Sequence, residues 1–300
     1  MQSTHHLEEA VLEALQSFGF RASQCNGFYS FGIVARKGTT LLFIKTIHNL
    51  DNFKESEARD LSTLSNELSA AAIVVTEHTN AGGLDDDVVY ERYGVPAVTL
   101  PTFESCLEEK YPRVKAVRGG FSVEIDTGLM QRRRKESGLS VGAIAHELGC
   151  SVRIVIEYER KGRASIQNAM ALEGILDADL TKPIQIFSQL AARSIAQDIP
   201  AFEKDVAERM KALGFKVAYA NKAPFNIVAE DEDDILVGGL RKAAIEEKAM
   251  LLEAISEVMD ANPMFVLKRY KKDSIKGVPV IKKKQLDEVS SSEEFVIKFL

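Results

Sequence analysis

The 300-residue sequence predicts a mixed α/β (α+β) chain, in which two related three-layer α/β domains flank an all-α unit. Three observations predict this. A run of helix, Gly-Phe, three strands and a second helix begins near Val11 and again near Val206. The stretch between them is helical in period and basic, and a chain of this length with 45% hydrophobic residues can fill two or three cores. The expected divisions are residues 1–105 and 183–300 for the outer domains, 106–126 for a β-hairpin connector, and 127–182 for the helical domain.

The repetition is read from fixed landmarks. Gly19-Phe20 answers Gly214-Phe215, "FGIVA" from Phe31 answers "FNIVA" from Phe225, and "GVPAV" at Gly94 answers "GVPVI" at Gly277. In each copy a long helix, Glu55 to Leu68 or Lys242 to Met259, leads to a buried strand, "AAIVVT" or "MFVLK". Four coincidences in one order point to a duplication, and the expected plan is α-β-β-β-α-β-(α)-β. The stretch "VVYERYGVPAV" reads as a helix ending at Gly94 before a strand.

Two connectors join the parts. Pro112 and Gly119-Gly120 punctuate a stretch in which Val114 to Val117 and Phe121 to Ile125 alternate enough for a β-hairpin. Leu180 to Ile199 reads as a helix or helix pair with Ile184, Phe187, Leu190 and Ala191 on one face. The tail "SSSEEFVIKFL" reads as a last strand, a last helix, or a contact for another chain.

The central unit carries the most specific pattern. Ser140 is placed to cap a short helix through Ile144, Ala145 and Leu148, and Gly149 ends it. Ser151 opens a second helix whose Val155 and Tyr158 share one face, and Ala145 is small where the two helices approach. Between Thr127 and Ser165, eight Lys/Arg (Arg132, Arg133, Arg134, Lys135, Arg153, Arg160, Lys161, Arg163) stand against four Glu. This local +4 sits in a chain of net −6, and concentrated positive charge fits a phosphate-bearing partner.

"GLSVGAIAHELGCS" followed by "YERKGRAS" resembles the lambda-repressor/Cro type of helix-turn-helix, over about fifty residues from Leu129 to Leu176. The resemblance implies that Ser151 to Arg160 is a recognition helix, with Val152, Arg153, Ile154, Ile156 and Glu157 facing or bordering a DNA groove. Arg153 is the preferred base contact, because a guanidinium donates two hydrogen bonds to guanine. Ser140, Val141, Ser151, Arg132, Arg134, Lys135, Arg160, Lys161 and Arg163 complete the expected DNA-binding set. Val152, Ile154 and Ile156 depart from the usual pattern by being apolar where polar side chains are commoner.

The outer domains resemble the restriction-endonuclease or Holliday-junction-resolvase fold, in which carboxylates and an acid-x-Lys strand hold Mg²⁺ and stabilise charge on a scissile phosphate. On that resemblance the first acid falls on Gly32 and Asn226, and the acid-x-Lys falls on Lys45 and Ile47 or on Gly239 and Arg241. Neither Leu41 to Ile44 nor Ile235 to Gly238 offers a carboxylate, so both copies read as non-catalytic. Together with "RGGFSVEID" before the helical unit, the whole chain resembles the archaeal helix-turn-helix transcriptional regulators. That resemblance implies a cytoplasmic, sequence-specific regulator of double-stranded DNA, a homodimer, whose outer domains supply the dimer surface, ligand sensing or additional phosphate contacts, a choice the sequence leaves open along with any small-molecule effector.

Other chemistry is thin. No apolar run approaches the ~20 residues of a membrane span, and the N-terminus lacks the features of a secretory signal. Cys25, Cys106 and Cys150 are odd in number and far apart, as in a reducing cytoplasm. His146 with Cys150 and the His5-His6 pair do not complete a metal site, and no cofactor is expected. Asp85 to Asp87 and Glu230 to Asp234 read as solvated loops, and neither "VGGLRK" nor "VRGGFS" makes a phosphate loop. Two readings compete with the regulator: a protein-interaction scaffold docking through the apolar recognition helix, and a Mg²⁺-dependent nuclease.

Overall fold

The computed structural model describes residues 2–190, 199–231, 235–239 and 245–299. In the first lobe, α1 (Gln2–Ser17) places Leu7, Val11, Ala14 and Leu15 on one face, and that stripe is buried against the sheet. The chain continues through β1 (Arg21–Gln24), β2 (Ile33–Lys37), β3 (Thr40–Thr46), α2 (Glu55–Glu67), β4 (Ala71–Val75), the short pair β5 (His78–Thr79) and β6 (Gly82–Gly83), β7 (Val88–Arg92), β8 (Val95–Val98) and α3 (Leu100–Leu107). All five residues of β4 are buried, as a parallel strand covered on both faces requires.

The helix expected before Gly94 is instead a strand. Val88 and Val89 are β-branched, and Tyr93 (φ 51°) with Gly94 (φ 80°) forms a two-residue turn of positive φ that returns β7 antiparallel onto β8. The same device recurs at Lys276 (φ 49°) and Gly277 (φ 91°). The parenthetical helix of the expected plan is therefore a strand in both lobes.

β9 (Val114–Val117) and β10 (Gly120–Glu124) form the expected hairpin, and β9 pairs in parallel with β7. After α4 (Thr127–Glu136), α5 (Val141–Glu147) and α6 (Val152–Lys161), a short β11 (Arg163–Ala164) returns to pair with β10, and α7 (Ile166–Leu176) closes the helical bundle. One nine-stranded sheet, β1-β2-β3-β4-β8-β7-β9-β10-β11, thus runs from the first lobe into the base of the bundle. The bundle core comprises Met130, Ile144, Ala145, Val155, Tyr158, Leu172 and Leu176, with Val123 and Ile125 from the hairpin. Arg134 links α4 to α6 through a 2.5 Å pair with Glu159, both side chains largely buried.

Residues 180–190 are not helical, although Ile184, Phe187 and Leu190 fall at helical spacing; Ala191 lies outside the described residues. Pro183 cannot donate to a helix, and the segment finds its partners on the first lobe. Ile184 N–H donates to Pro112 O (2.8 Å), Leu190 N–H to Ser65 Oγ (2.9 Å), and Ile186 and Phe187 join the apolar cluster against Phe103 and Tyr111. It is a non-helical strap across lobe one, with a turn at Ile186 and Phe187.

The second lobe contains α8 (Ala201–Ala212), β12 (Lys216–Tyr219), β13 (Ile227–Glu230), β14 (Ile235–Gly239), α9 (Ile245–Met259), β15 (Asn262–Leu267), β16 (Ser274–Ile275), β17 (Val278–Lys282), α10 (Lys283–Asp287) and α11 (Ser292–Phe299). Its sheet order, β12-β13-β14-β15-β17-β16, repeats β1-β2-β3-β4-β8-β7 with the same parallel and antiparallel neighbours. The tail is the helix α11, whose Phe295 packs on Phe215 at 5.5 Å.

The lobes pack reciprocally. α9 lies on β1 and β2, α2 lies on β12, and one apolar cluster holds Phe31, Phe43 and Leu61 together with Phe225, Leu252 and Phe265. The equivalent residues Phe31 and Phe225 meet at 6.2 Å between ring centroids. Arg21 and Arg36 donate to Glu257 O and Met259 O at the carboxyl end of α9 and pair with Asp260, where cations complement the helix dipole. Asp60 is 3% exposed; it accepts from Ser30 Oγ (2.9 Å) and from Lys222 N–H (2.8 Å) across the seam, and burial raises its carboxyl above the usual range.

Asp60→Ala leaves a buried N–H and hydroxyl without their acceptor, and urea unfolding is expected to show a loss of about 1–3 kcal/mol. Arg134→Ala strands Glu159 inside the bundle and is expected to cost a similar ~1–3 kcal/mol, whereas the exposed Arg153→Ala stays within ~0.5 kcal/mol of wild type in the same measurement.

Candidate nucleic-acid interface

The candidate interface is the outer face of α5 and α6. Ser140 is the N-cap of α5, its hydroxyl accepting from Ala143 N–H at 3.0 Å, and Gly149 (φ 63°) makes the turn. Ser151 occupies the N-cap position of α6 but makes no capping hydrogen bond, so its exposed hydroxyl is directed to no helix donor. Gly162 (φ 64°) ends α6, and a Cβ there would stand 2.8 Å from Ile125 O, so the bundle meets the hairpin where only glycine fits.

α6 has a sharp division of faces. Val155 and Tyr158 point into the core, and Tyr158 Oη accepts from Asn168 Nδ2 at 2.6 Å. Val152, Arg153, Ile154, Ile156 and Arg160 are exposed, with Val152 at 47% and Ile156 at 50%. Spacings of three and four set Arg153, Ile156, Glu157 and Arg160 along one outward strip.

The basic residues separate into free and engaged groups. Arg132, Lys135, Arg153, Arg160 and Arg163 are exposed and make no ion pair with an acid among the described residues. Lys161 pairs loosely with Glu157 at 3.4 Å, and Val141 is half-buried at the start of α5. Arg134 differs from the expected placement: its guanidinium turns inward to Glu159 and Leu139 O and presents no charge to a partner. Arg133 likewise caps α7 through Asp177 O. Arg163 sits on the edge strand β11.

The positions expected for nuclease chemistry are occupied differently. A Cβ at Gly32 would lie 2.5 Å from Glu8 Oε1, so the carboxylate of α1 fills the space of a side chain on that strand. Glu8 is hydrogen-bonded by Gln24, and burial raises its carboxyl pKa. Lys45 donates to Tyr29 O (2.6 Å) and pairs with Glu57 (3.3 Å). The second lobe repeats the arrangement at an offset of 195 in number: Glu203 of α8 is buried and accepts from Tyr219 Oη. These two helix acids escaped the sequence reading, which began its comparison at Val11; extending the same alignment three residues back finds them. Arg241 and residues 232–234 lie outside the described residues. Among the described residues no three His, Cys, Asp or Glu side chains converge in a way that could hold a metal ion, and the residues at these positions do not fit Mg²⁺. His146 is exposed and Cys150 half-buried.

A family model described as a PD-(D/E)XK superfamily domain matches residues 4–112, the first lobe with its helix α1. Among solved structures, Archaeoglobus fulgidus Hjc, a Holliday junction resolvase, is 26% identical over 25% of this chain and 65% of its own, but at a TM-score of 0.22 the likeness carries no argument. Full-length relatives are more informative. A Pyrococcus furiosus protein is 36% identical, with 97% of this chain and 95% of that one aligned, and an Archaeoglobus fulgidus protein is 34% identical over 97% and 96%. Both bear the name "Putative HTH-type transcriptional regulatory protein". The chain belongs to this family of archaeal HTH-type transcriptional regulatory proteins.

Proposed function

We propose that the chain is a sequence-specific DNA-binding transcriptional regulator that reads the major groove with α6 of a lambda-repressor/Cro-like helix-turn-helix. The carrying observation is the outward strip of α6, Arg153, Ile156, Glu157 and Arg160, held on a core that spends only Val155 and Tyr158 of that helix. Arg153 would take a guanine edge, Val152 and Ile156 would meet thymine methyls, and Ser140, Val141 and Ser151 lie at helix starts where phosphates bind. Arg132, Lys135, Arg160, Lys161 and Arg163 would contact the flanking phosphates, and the names of the relatives agree with this reading.

In this reading residues 127–182 are the DNA-binding domain, and the outer lobes are duplicated copies of a nuclease-like fold that has lost its chemistry. Gly32 and Asn226 supply no acid, and Lys45 is bound to Tyr29 O and Glu57, so the protein is not an enzyme in this proposal. A homodimer would set two recognition helices about one turn of duplex apart, ~34 Å, on a palindrome. Its contact would lie outside the faces that the two lobes bury against each other. No described helix is long and apolar enough to cross a membrane, and free Cys25 and Cys106 are buried, with the Cys106 thiol pushed up to about 12 by burial. A cytoplasmic site of action suits these thiols.

A specific observation favours the second reading, a protein-docking surface: Val152, Ile154 and Ile156 expose 47%, 39% and 50% of their area on one helix. Selection of binding sites from random duplex DNA separates the two. The wild type is expected to enrich a palindrome, and Arg153→Ala to relax one base position in each half-site, at a cost of about 1–3 kcal/mol there. Enrichment by neither protein would sink the regulator reading and leave the docking surface.

A further inference from the structure

The second lobe carries a concentration of positive charge that the helix-turn-helix does not use. Between Lys268 and Lys284, eight Lys/Arg stand against the single Asp273, a net +7 in a chain of −6. The carboxyl-terminal group of these is engaged: Lys282 pairs with Asp273, Lys283 with Asp205 and Asp287, and Lys284 with Glu288. The loop from β15 to β16 is different. Lys268, Arg269, Lys271 and Lys272 are all exposed, and none pairs with an acid among the described residues.

The loop is anchored and shaped. Tyr270 is half-buried against the core shared by the two lobes, Lys268 Nζ lies 5.0 Å over the Phe202 ring, and Asp273 O accepts from Val280 N–H at 2.9 Å. Arg269, Tyr270, Lys271 and Lys272 line an open recess of about 490 Å³. The fold itself does not demand this charge. The equivalent connection of lobe one, residues 76–87, has Glu77, Asp85, Asp86 and Asp87 and no Lys or Arg. Two copies of one topology therefore present opposite charge at the same place.

We infer that the Lys268–Lys272 loop is a second DNA-contact surface, which holds the phosphate backbone of duplex DNA without reading its sequence. Four cations that pair with no acid among the described residues, on a rooted loop with an aromatic ring among them, match the polyanion rather than the base edges. The inference deepens the DNA-binding reading and rests on it for the nature of the partner. The division of labour is then spatial: α6 selects the site, and the second lobe adds affinity and salt dependence from flanking duplex.

The test compares full-length wild type, Arg269→Ala/Lys271→Ala/Lys272→Ala, Arg269→Lys/Lys271→Arg/Lys272→Arg and Arg153→Ala, by fluorescence anisotropy on duplexes with and without the selected site across a salt series. The alanine variant is expected to bind both duplexes more weakly, with the slope of log K against log salt shallower by roughly 2–3, since each lost phosphate contact removes about 0.9. The charge-retaining variant is expected to match wild type, and thermal unfolding of all four shows whether the lobes remain folded. An unchanged slope in the alanine variant, with wild type and Arg153→Ala differing in site preference, overturns the inference and leaves the helix-turn-helix reading standing. A shallower slope with no effect of Arg153→Ala on preference does the reverse. An unchanged slope accompanied by altered self-association in sedimentation also overturns it, in favour of a protein contact at the loop.

Discussion

The apolar seam between the two lobes is the constraint on which the rest of the molecule depends. β1 and β2 of lobe one are covered by α9 of lobe two, while β12 of lobe two is covered by α2 of lobe one. Each lobe thus supplies the layer that its counterpart lacks, and Phe31 and Phe225 meet near the pseudo-symmetric centre. Burial of Phe31, Phe43, Phe225 and Phe265 in one cluster gives the seam the character of a domain interior, at roughly 1.5–3 kcal/mol for each fully buried large side chain. Specificity comes from the polar contacts at its margins. Asp60 receives Ser30 Oγ beside the seam and the N–H groups of Asn221 and Lys222 across it, and Arg21 with Arg36 closes the carboxyl end of α9.

On that base the bundle is held by backbone hydrogen bonds rather than by side-chain contact alone. β9 extends the sheet of lobe one beyond β7, β10 and β11 extend it again, and Gly162 lets α6 end directly against Ile125. Arg113 grips Asp179, and Glu173 accepts the N–H groups of Leu180 and Thr181, so the exit of the bundle is fixed as firmly as its entrance. The bundle that carries the outward face of α6 is thus tied to its surroundings at both its entrance and its exit.

Much of this was legible in residues with strong local signals. Ser140, Gly149 and the pair Val155 and Tyr158 define two helices and a turn by capping and period, and the hairpin at Gly119-Gly120 announces itself by its glycines. The landmarks of the two copies likewise anticipated their matching sheets, because Gly-Phe and Gly-Val-Pro mark turns whose geometry is local. Errors arose where a local pattern had a tertiary solution. Tyr93-Gly94 ends a strand with the same glycine signal that ends a helix. Ile184, Phe187 and Leu190 have helical spacing, yet they reach the apolar clusters from a non-helical segment that turns at Ile186 and Phe187. Arg134 belonged to a basic run in sequence, and only the fold brings Glu159, 25 residues away, to its guanidinium. The basic loop at Lys268 to Lys272 was equally readable as composition, but that its cations pair with no acid among the described residues is visible only in the fold.

The strap of residues 180–190 has a mechanical consequence. Both leads of the bundle, the hairpin that enters it and the strap that leaves it, are clamped to the same lobe, so the bundle is a lever with its fulcrum on lobe one. Lobe two meets lobe one along the seam, where α9 lies on β1 and β2 and α2 lies on β12. Ser65 and Ala71 hold the far end of that strap through Leu190 and Gln189, so the anchorage of the bundle and the body of lobe one share the same residues.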